Sequence, residues 1–454
     1  MKQVVPGGGN CFWPRIPLYC AWIGLWLSTT AVIGTPALPI IDTNNVVNIT
    51  DFGAISSTTL TNTTAIQNAI NSAATTNGGC TVKIPAGTYL SGPLTLANNI
   101  NLQIDSGAIL RMLPFGQYPL TYFTNVVGST TNITWTAPNF ISGTSLHDIA
   151  ISGPGAIDGQ GLPWWPYANT NGDTRPIMIR LNGCNRELIQ NITLSNSPMF
   201  HIAIGGKAGN TTVQGVIIRA PSSSANPPSH NTDACDVSGT NILVQNCDIS
   251  VGDDNFTCGG GTADVLITNC TFGYGHGLSI GSPTFGGVSN FTVINCTFNN
   301  TEQGIRIKSD RDRGGFLHQL KYLNLRMTNV NYPILIYASY AATNREFRAL
   351  NNLTPAIAST YPRAAVAART PIYRDITISN LTATVKPGYR AGLIWGLPEM
   401  AVSNVLLQDV TITADKPFGV YEAANVRFEN CRIITPEGTN QISSTNARVQ
   451  VIPR

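Results

Sequence analysis

The sequence predicts an all-β chain wound as a parallel β-helix, on three observations. One pattern recurs: segments 241–249, 264–272 and 290–298 each run through alternating apolar residues to an Asn-Cys pair, namely Asn246-Cys247, Asn269-Cys270 and Asn295-Cys296. Their starts lie 23 and 26 residues apart, a period that belongs to solenoids. Weaker copies begin at Glu187, Asp375, Asn404 and Asn425. Within each copy apolar and polar residues alternate, the period of a strand, and no helical pattern intervenes. Finally, only 11% of the residues are charged. Asn, Thr, Gly and Ser supply the remaining polarity, as suits strands and turns rather than long amphipathic helices.

Taken in chain order, the N-terminus comes first. Lys2 and Arg15 precede an apolar stretch from Ile16 to Ile33, followed by Gly34-Thr35-Pro36-Ala37. A positive start, an apolar core and small residues predict a secretory signal over 1–37, and so a secreted, extracellular or periplasmic protein. A membrane anchor is the alternative, but Pro17 and Ser28 interrupt a stretch barely long enough to span a bilayer. Cleavage near Ala37 would remove Lys2 and Arg15, take the formal net charge from +3 to +1, and leave 38–454 as one β-helix domain. Repeat folds can reach that length because each coil packs only on its neighbours.

The next element is a capping helix. Asn62, Thr63 and Thr64 offer an N-cap, Ala65, Ile66, Ala69, Ile70 and Ala73 form one apolar face, and Gly78-Gly79 offers the stop. A helix there would cover the open first coil. In the coils that follow, strands end at Asn, or once at Asp, residues that tolerate a left-handed turn. Stacked Asn amides would satisfy one another in a ladder.

Of the ten cysteines, Cys11 and Cys20 lie in the proposed signal. Cys247, Cys270, Cys296 and Cys431 follow asparagines at one place in the repeat and suit stacking in a core. Cys235 and Cys258 are a possible disulfide. No Cys/His set has zinc-ligand spacing. The stretch from Ala341 to Thr370 breaks the repeat, carries Arg345, Arg348, Arg363 and Arg369 against Glu346, and reads as a long loop, of a length that is usually functional or disordered.

Four polar clusters punctuate the central coils: Asn231-Thr232-Asp233, Gly252-Asp253-Asp254, Gly275-His276-Gly277 and Arg306-Ile307-Lys308. Asp233, Asp253, His276 and Arg306 are separated by 20, 23 and 30 residues. If each interval is one coil, three carboxyls, an imidazole and two cations share one face. That set suits acid/base hydrolysis of an anionic sugar polymer. Each cluster alone could be a solvated turn; together, in register, they point to a site. Successive strand residues face opposite ways, so Asp253 and Asp254 share a cleft only at a bend, which Gly252 permits. Arg306 and Lys308 alternate and so point to one face. Nothing implies nucleic acid: no basic run is long enough and no aromatic platform accompanies one. Cations gathered in one cleft would still hold a polyanion.

In this order the four clusters resemble the signature of the polygalacturonases, glycoside hydrolase family 28. The resemblance extends to Thr50–Ala54, Ile84–Tyr89, Ile157–Gly161, Trp164-Trp165 and Ser197-Pro198, and so covers roughly 50–435. Two departures are Ala234, where the family usually has Gly, and Asn255–Cys258, unlike the common version of that segment. The resemblance implies a right-handed single-stranded parallel β-helix that cleaves α-1,4-galacturonosyl bonds of polygalacturonate or pectin with inversion. It makes Asp253 the general acid, has Asp233 and Asp254 hold the water, and has His276 tune the acid. It implies that Arg306, Lys308, Tyr340 and Asn231 bind substrate.

Inversion requires two carboxyls roughly 6.5–9.5 Å apart. One rung of about 4.8 Å plus side-chain reach falls in that range. Crowding three carboxyls also pushes at least one toward the protonated form. The glycines beside His276 let the backbone approach a ligand, and Trp164 and Trp165 suit framework packing better than sugar stacking. The Arg-bearing loop is expected to narrow the cleft and contact an extra galacturonate. No metal or organic cofactor is implied, and the protein is expected to be a monomer with a galacturonan partner and no membrane contact after signal removal. The alternatives are a xylogalacturonan or rhamnogalacturonan hydrolase, a calcium-dependent pectate lyase, and a non-catalytic polysaccharide-binding β-helix.

Overall fold

The computed structural model describes residues 34–127, 130–168, 173–340 and 350–453. The proposed signal, apart from residues 34–37, lies outside them, as do Cys11, Cys20, Arg345, Glu346 and Arg348. No helix among the described residues is long and apolar enough to cross a membrane.

The described residues form one sheet of 33 strands wound into a right-handed parallel β-helix, with a separate antiparallel hairpin at Thr121–Val127 and Thr130–Thr136. Its coils are stacked in register, so a residue's place in one coil sets its neighbours above and below. Asn turns hold that register. Asn191, Asn246, Asn269, Asn295, Asn324, Asn380 and Asn430 all have φ between 51° and 57°, the left-handed region that Asn tolerates. The residues that follow them point inward, and Cys247, Cys270 and Cys296 are buried one above another. Side-chain amides bridge adjacent coils: Asn324 donates to Asn295 at 3.0 Å and Asn380 to Asn324 at 2.9 Å. A second ladder at the other end of the same strands joins Asn241 to Asn210 at 2.6 Å and Asn425 to Asn404 at 3.0 Å. The expected ladder is therefore present twice.

The helix α1 (Thr63–Ala73) buries Ile66, Ala69, Ile70 and Ala73 against the first coils, as expected of a cap. Its ends differ from expectation. Asn62 makes no side-chain cap; its amide is taken by the backbone of Ile55, at 2.7 and 3.1 Å. The helix stops at Ala73, before Gly78-Gly79, whose positive φ values serve the turn into the next strand. Every cysteine among the described residues is free and buried, Cys235 and Cys258 included, so the possible disulfide does not form. The stretch read as a loop contains a second helix, α2 (Pro355–Ser359), capped by Thr354. Trp164 and Trp165 are buried, and Trp164 lies edge-on to Phe115, Tyr118 and Trp135 in a framework cluster.

One face of the coil stack carries the cleft. Its strands are β1 (Ile179–Asn182), β2 (Ile202–Gln214), β3 (Cys235–Gln245), β4 (Phe256–Cys258), β5 (Leu278–Ile280), β6 (Gln303–Lys308), β7 (Tyr332–Tyr337), β8 (Arg390–Trp395) and β9 (Lys416–Glu429). Inward positions form apolar columns such as Cys258, Ile280, Ile307, Ile336, Ile394 and Val420. Positions alternating with them face out and make the cleft floor.

One core position is out of character. Glu187 stacks between Ile149 and Thr211, is 1% exposed, and has one oxygen bonded by Thr211 while the other has no partner. Burial pushes its carboxyl up to about 7, against the help of the Thr211 hydroxyl. The fold therefore favours the neutral form. Its penalty is absent below the ordinary carboxylate range, grows between roughly pH 4 and 7, and is full above that. Glu187→Gln is expected to raise unfolding free energy by roughly 2–3 kcal/mol at pH 8 and by about zero at pH 4, measured by denaturant titration at both pH values.

Candidate active site

Asp233, Asp253, Asp254, His276, Arg306 and Lys308 all line one cleft of about 720 Å³, with Asn231 and Tyr340. The four clusters thus meet, on the face that the coil spacing predicted. Asp253 and Asp254 follow a bend at Gly252, where a Cβ would lie 2.2 Å from Ser229 Oγ, so only glycine allows this approach. Beyond the bend both carboxyls enter the cleft. Asp254 N–H donates back to Asp253 Oδ1 at 2.9 Å.

Asp253 is held by hydrogen bonds from two sides. Asn231 N–H reaches its Oδ2 at 3.1 Å, and His276 Nδ1 lies 2.9 Å from its Oδ1. Burial alone would raise its pKa, but His276, Lys308 and Arg306 outweigh that and hold Asp253 well below the usual carboxylate range. His276 is the reciprocal case. Burial disfavours its charge, yet the Asp253 carboxylate, and Glu302 with Oε1 3.5 Å from Nε2, raise it to about 10. Glu302 is itself held by Ser223 Oγ at 2.7 Å.

Asp233 behaves oppositely. Its Oδ1 is buried with no partner. Burial pushes its carboxyl well above the usual range, and the charges of Asp253 and Asp254 push it further. The carboxyl that crowding protonates at rest is therefore Asp233, and Asp253, the acid by resemblance, is ionised there.

Arg306 and Lys308 line the cleft and are both engaged by Asp254. Arg306 Nη1 donates to Asp254 Oδ1 at 3.0 Å, Lys308 Nζ to Oδ2 at 3.0 Å, and Ser279 Oγ adds a third bond at 2.7 Å. Arg306 is 2% exposed and Lys308 7%. They hold the Asp254 side chain in place and put positive charge beneath the cleft; Lys308 also sits 5.4 Å from the Tyr340 ring centre. Asn231 likewise acts by holding neighbours: its Oδ1 accepts from Arg175 Nη2 at 2.8 Å while its N–H holds Asp253. The glycines beside His276 admit other coils rather than a ligand. A Cβ on Gly277 would lie 2.0 Å from the Gln303 carbonyl, and one on Gly275 2.5 Å from Asn255 Oδ1.

Four contributors were missed. Arg175 binds the carbonyls of Pro198 and His230 and turns its charge toward Asp233 and Asp253. His201, fully buried and held neutral by burial, lies 3.3 Å from the Asp233 carbonyl. Asp236 is a fourth carboxyl in the cleft, raised to about 6 by burial against the pull of Arg180. Glu302 alternates with Arg306 and Lys308, so strand parity could have found it; nothing local marks the others. At the rim, Phe285 lines the cleft and Arg369 lies 4.9 Å from its ring centre. By that contact a described arginine of the 341–370 stretch touches a cleft residue.

The fold and this constellation define a glycoside hydrolase, and comparison with known proteins agrees. Residues 76–357 match the model of glycosyl hydrolases family 28. An endo-polygalacturonase of Pectobacterium carotovorum subsp. carotovorum is 34% identical over 305 residues, 62% of this chain and 72% of the relative. An endo-polygalacturonase of Pectobacterium parmentieri is 32% identical over 340 residues, 69% and 79% of the two. The solved polygalacturonase of Erwinia carotovora ssp. carotovora superposes with a TM-score of 0.65 at 27% identity, over 87% and 98% of the chains. An exopolygalacturonase of Thermotoga maritima superposes at 0.72 with 20% identity, over 90% and 95%. The chain belongs to glycosyl hydrolases family 28, the polygalacturonase family.

The charge assignment is open to direct test. In NMR titration His276 is expected to stay an imidazolium through neutral pH and release its proton near pH 10, and Asp253→Asn should bring that down toward 6.5. Replacing Arg306 by Met should cost roughly 3–5 kcal/mol in denaturant unfolding, because a buried Asp254 carboxylate loses a partner.

Proposed function

We propose that this protein hydrolyses α-1,4-galacturonosyl bonds of polygalacturonate with inversion at the anomeric carbon. The observation that carries the reading is the grouping of three carboxyls and an imidazolium in one cleft floored by buried cations. A polymer with a carboxylate on every sugar is attracted to such a floor. Export, supported by the N-terminal pattern, is part of the proposal, since the substrate is a polymer outside the cell.

The proton inventory allows a balanced cycle. When sugar fills the cleft and displaces water, the Asp253–His276 ion pair loses solvation, and the neutral pair becomes less costly. The proton passes from Nδ1 across 2.9 Å to Asp253. Asp253 then gives it to the glycosidic oxygen as the C1–O bond breaks. A water held between protonated Asp233 and ionised Asp254 forms the new bond to C1 from the opposite face and yields its proton to Asp254. From there it returns to His276, whose Nδ1 lies 3.8 Å from Asp254 Oδ1. The lyase alternative requires acids free to hold calcium; here Asp254 is already ion-paired with two cations.

On polygalacturonate the wild-type protein is expected to release reducing ends whose first-formed anomer is β by NMR, with no ultraviolet-absorbing unsaturated product. Asp253→Asn should lower kcat by roughly two to four orders of magnitude. A fully active variant, or an α first product, would exclude the mechanism.

A further inference from the structure

The cleft runs across coils, from Phe200 beside β2 to Tyr340 after β7, so a bound polymer lies along the stacking axis. Its floor can be read rung by rung. One outward column runs Ser142, Arg180, Ala203, Asp236, Thr257, Ser279, Arg306, Leu335, Leu393 and Gly419. A parallel one runs Lys308, Tyr337, Trp395 and Tyr421. In both columns the chemistry changes between β6 and β7: charged and hydroxyl groups give way to Leu335, Tyr337, Leu393 and Trp395.

Those apolar residues are not open to solvent. Leu350, Leu353 and Ala358 pack on Tyr332, Leu335, Tyr337, Leu393, Trp395 and Tyr421 as a second hydrophobic cluster, outside the coil core. Leu335, Tyr337 and Leu393 are each 0% exposed beneath it. The covering segment is tied down along its length. Arg390 Nη2 and Tyr421 Oη both donate to the Leu353 carbonyl, at 2.7 and 3.4 Å. Tyr361 meets Trp395 edge-on at 5.3 Å. Arg311 donates to the Pro362 carbonyl at 2.8 Å, and its partner Glu399 accepts from Ala364 N–H at 3.2 Å. Lifting this segment would expose the whole aromatic patch, so it is a wall and not a lid.

We propose that this wall closes one end of the cleft, so that the enzyme works at the end of a galacturonan chain and not within it. The inference rests on the galacturonan hydrolase reading above. Leu335 stacks directly on Arg306, which holds Asp254, so the floor stops one rung, about 4.8 Å, past the residues that touch the carboxyl trio. In the other direction Asp236, Arg180 and Ser142 are half-buried polar groups that reach solvent. The space beyond the trio holds a terminal sugar, and the rest of the polymer leaves over β3, β2 and β1.

The test is the product profile of the wild-type protein on oligogalacturonates of defined length carrying a fluorophore at the reducing end. Expected from the first time point are a single short product and stepwise shortening from one end, with polymer viscosity falling only in proportion to bonds cut. Mid-chain fragments released at a normal overall rate would overturn this inference and leave the hydrolase reading intact. No new reducing ends at all would overturn the hydrolase reading and this inference with it. The double variant Leu350→Ser with Leu353→Ser, checked for native circular dichroism, is expected to release mixed-length fragments. A folded variant that still releases one short product would overturn the assignment of the stop to this segment.

Discussion

Everything in this molecule depends on the register of its parallel ladder. A coil has no core of its own; it buries its inner face only by lying in step on the next. A slip by one residue would turn every inward Ile and Val to solvent and every cleft side chain inward. The Asn turns prevent this. They set where each strand stops, and their amides bond across coils, so loop insertions of different length between strands leave the columns undisturbed. The intervals of 20, 23 and 30 residues between the polar clusters differ for that reason, yet converge on one face.

Within that frame the site is an arrangement of buried charge. Asp254 accepts from Arg306, Lys308 and Ser279, and losing either cation leaves its buried carboxylate short of a partner. The two cations are therefore internal counter-ions first, and their attraction for a polyanion is a longer-range consequence. The same charges hold Asp253 ionised while Asp233, with fewer bonds and deeper burial, keeps a proton. One residue type is thus split into different protonation states by its surroundings alone.

The β-helix, its capping helix, the core cysteines and the cleft membership of Asp233, Asp253, Asp254, His276, Arg306, Lys308, Asn231 and Tyr340 were legible because they are periodic. Period and parity survive in a linear string. The roles of several residues were not legible. His276 has glycine neighbours because Gln303 and Asn255 crowd there, a contact between coils that no local pattern records. Arg175 and His201 lie outside the clusters and reach the site only through carbonyls and one amide of other coils.

By itself the sequence determined the winding, the strand faces and the identity of the groups that meet, since these follow from alternation, turn residues and spacing. The tertiary structure alone decided which carboxyl keeps its proton, whom Arg306 and Lys308 serve, and how far the cleft extends. Those depend on burial and on distances between coils. The 350–364 segment shows the difference: as a string it looks like a loop between strands, and only its seating on Leu335, Tyr337 and Trp395 makes it the end of the floor.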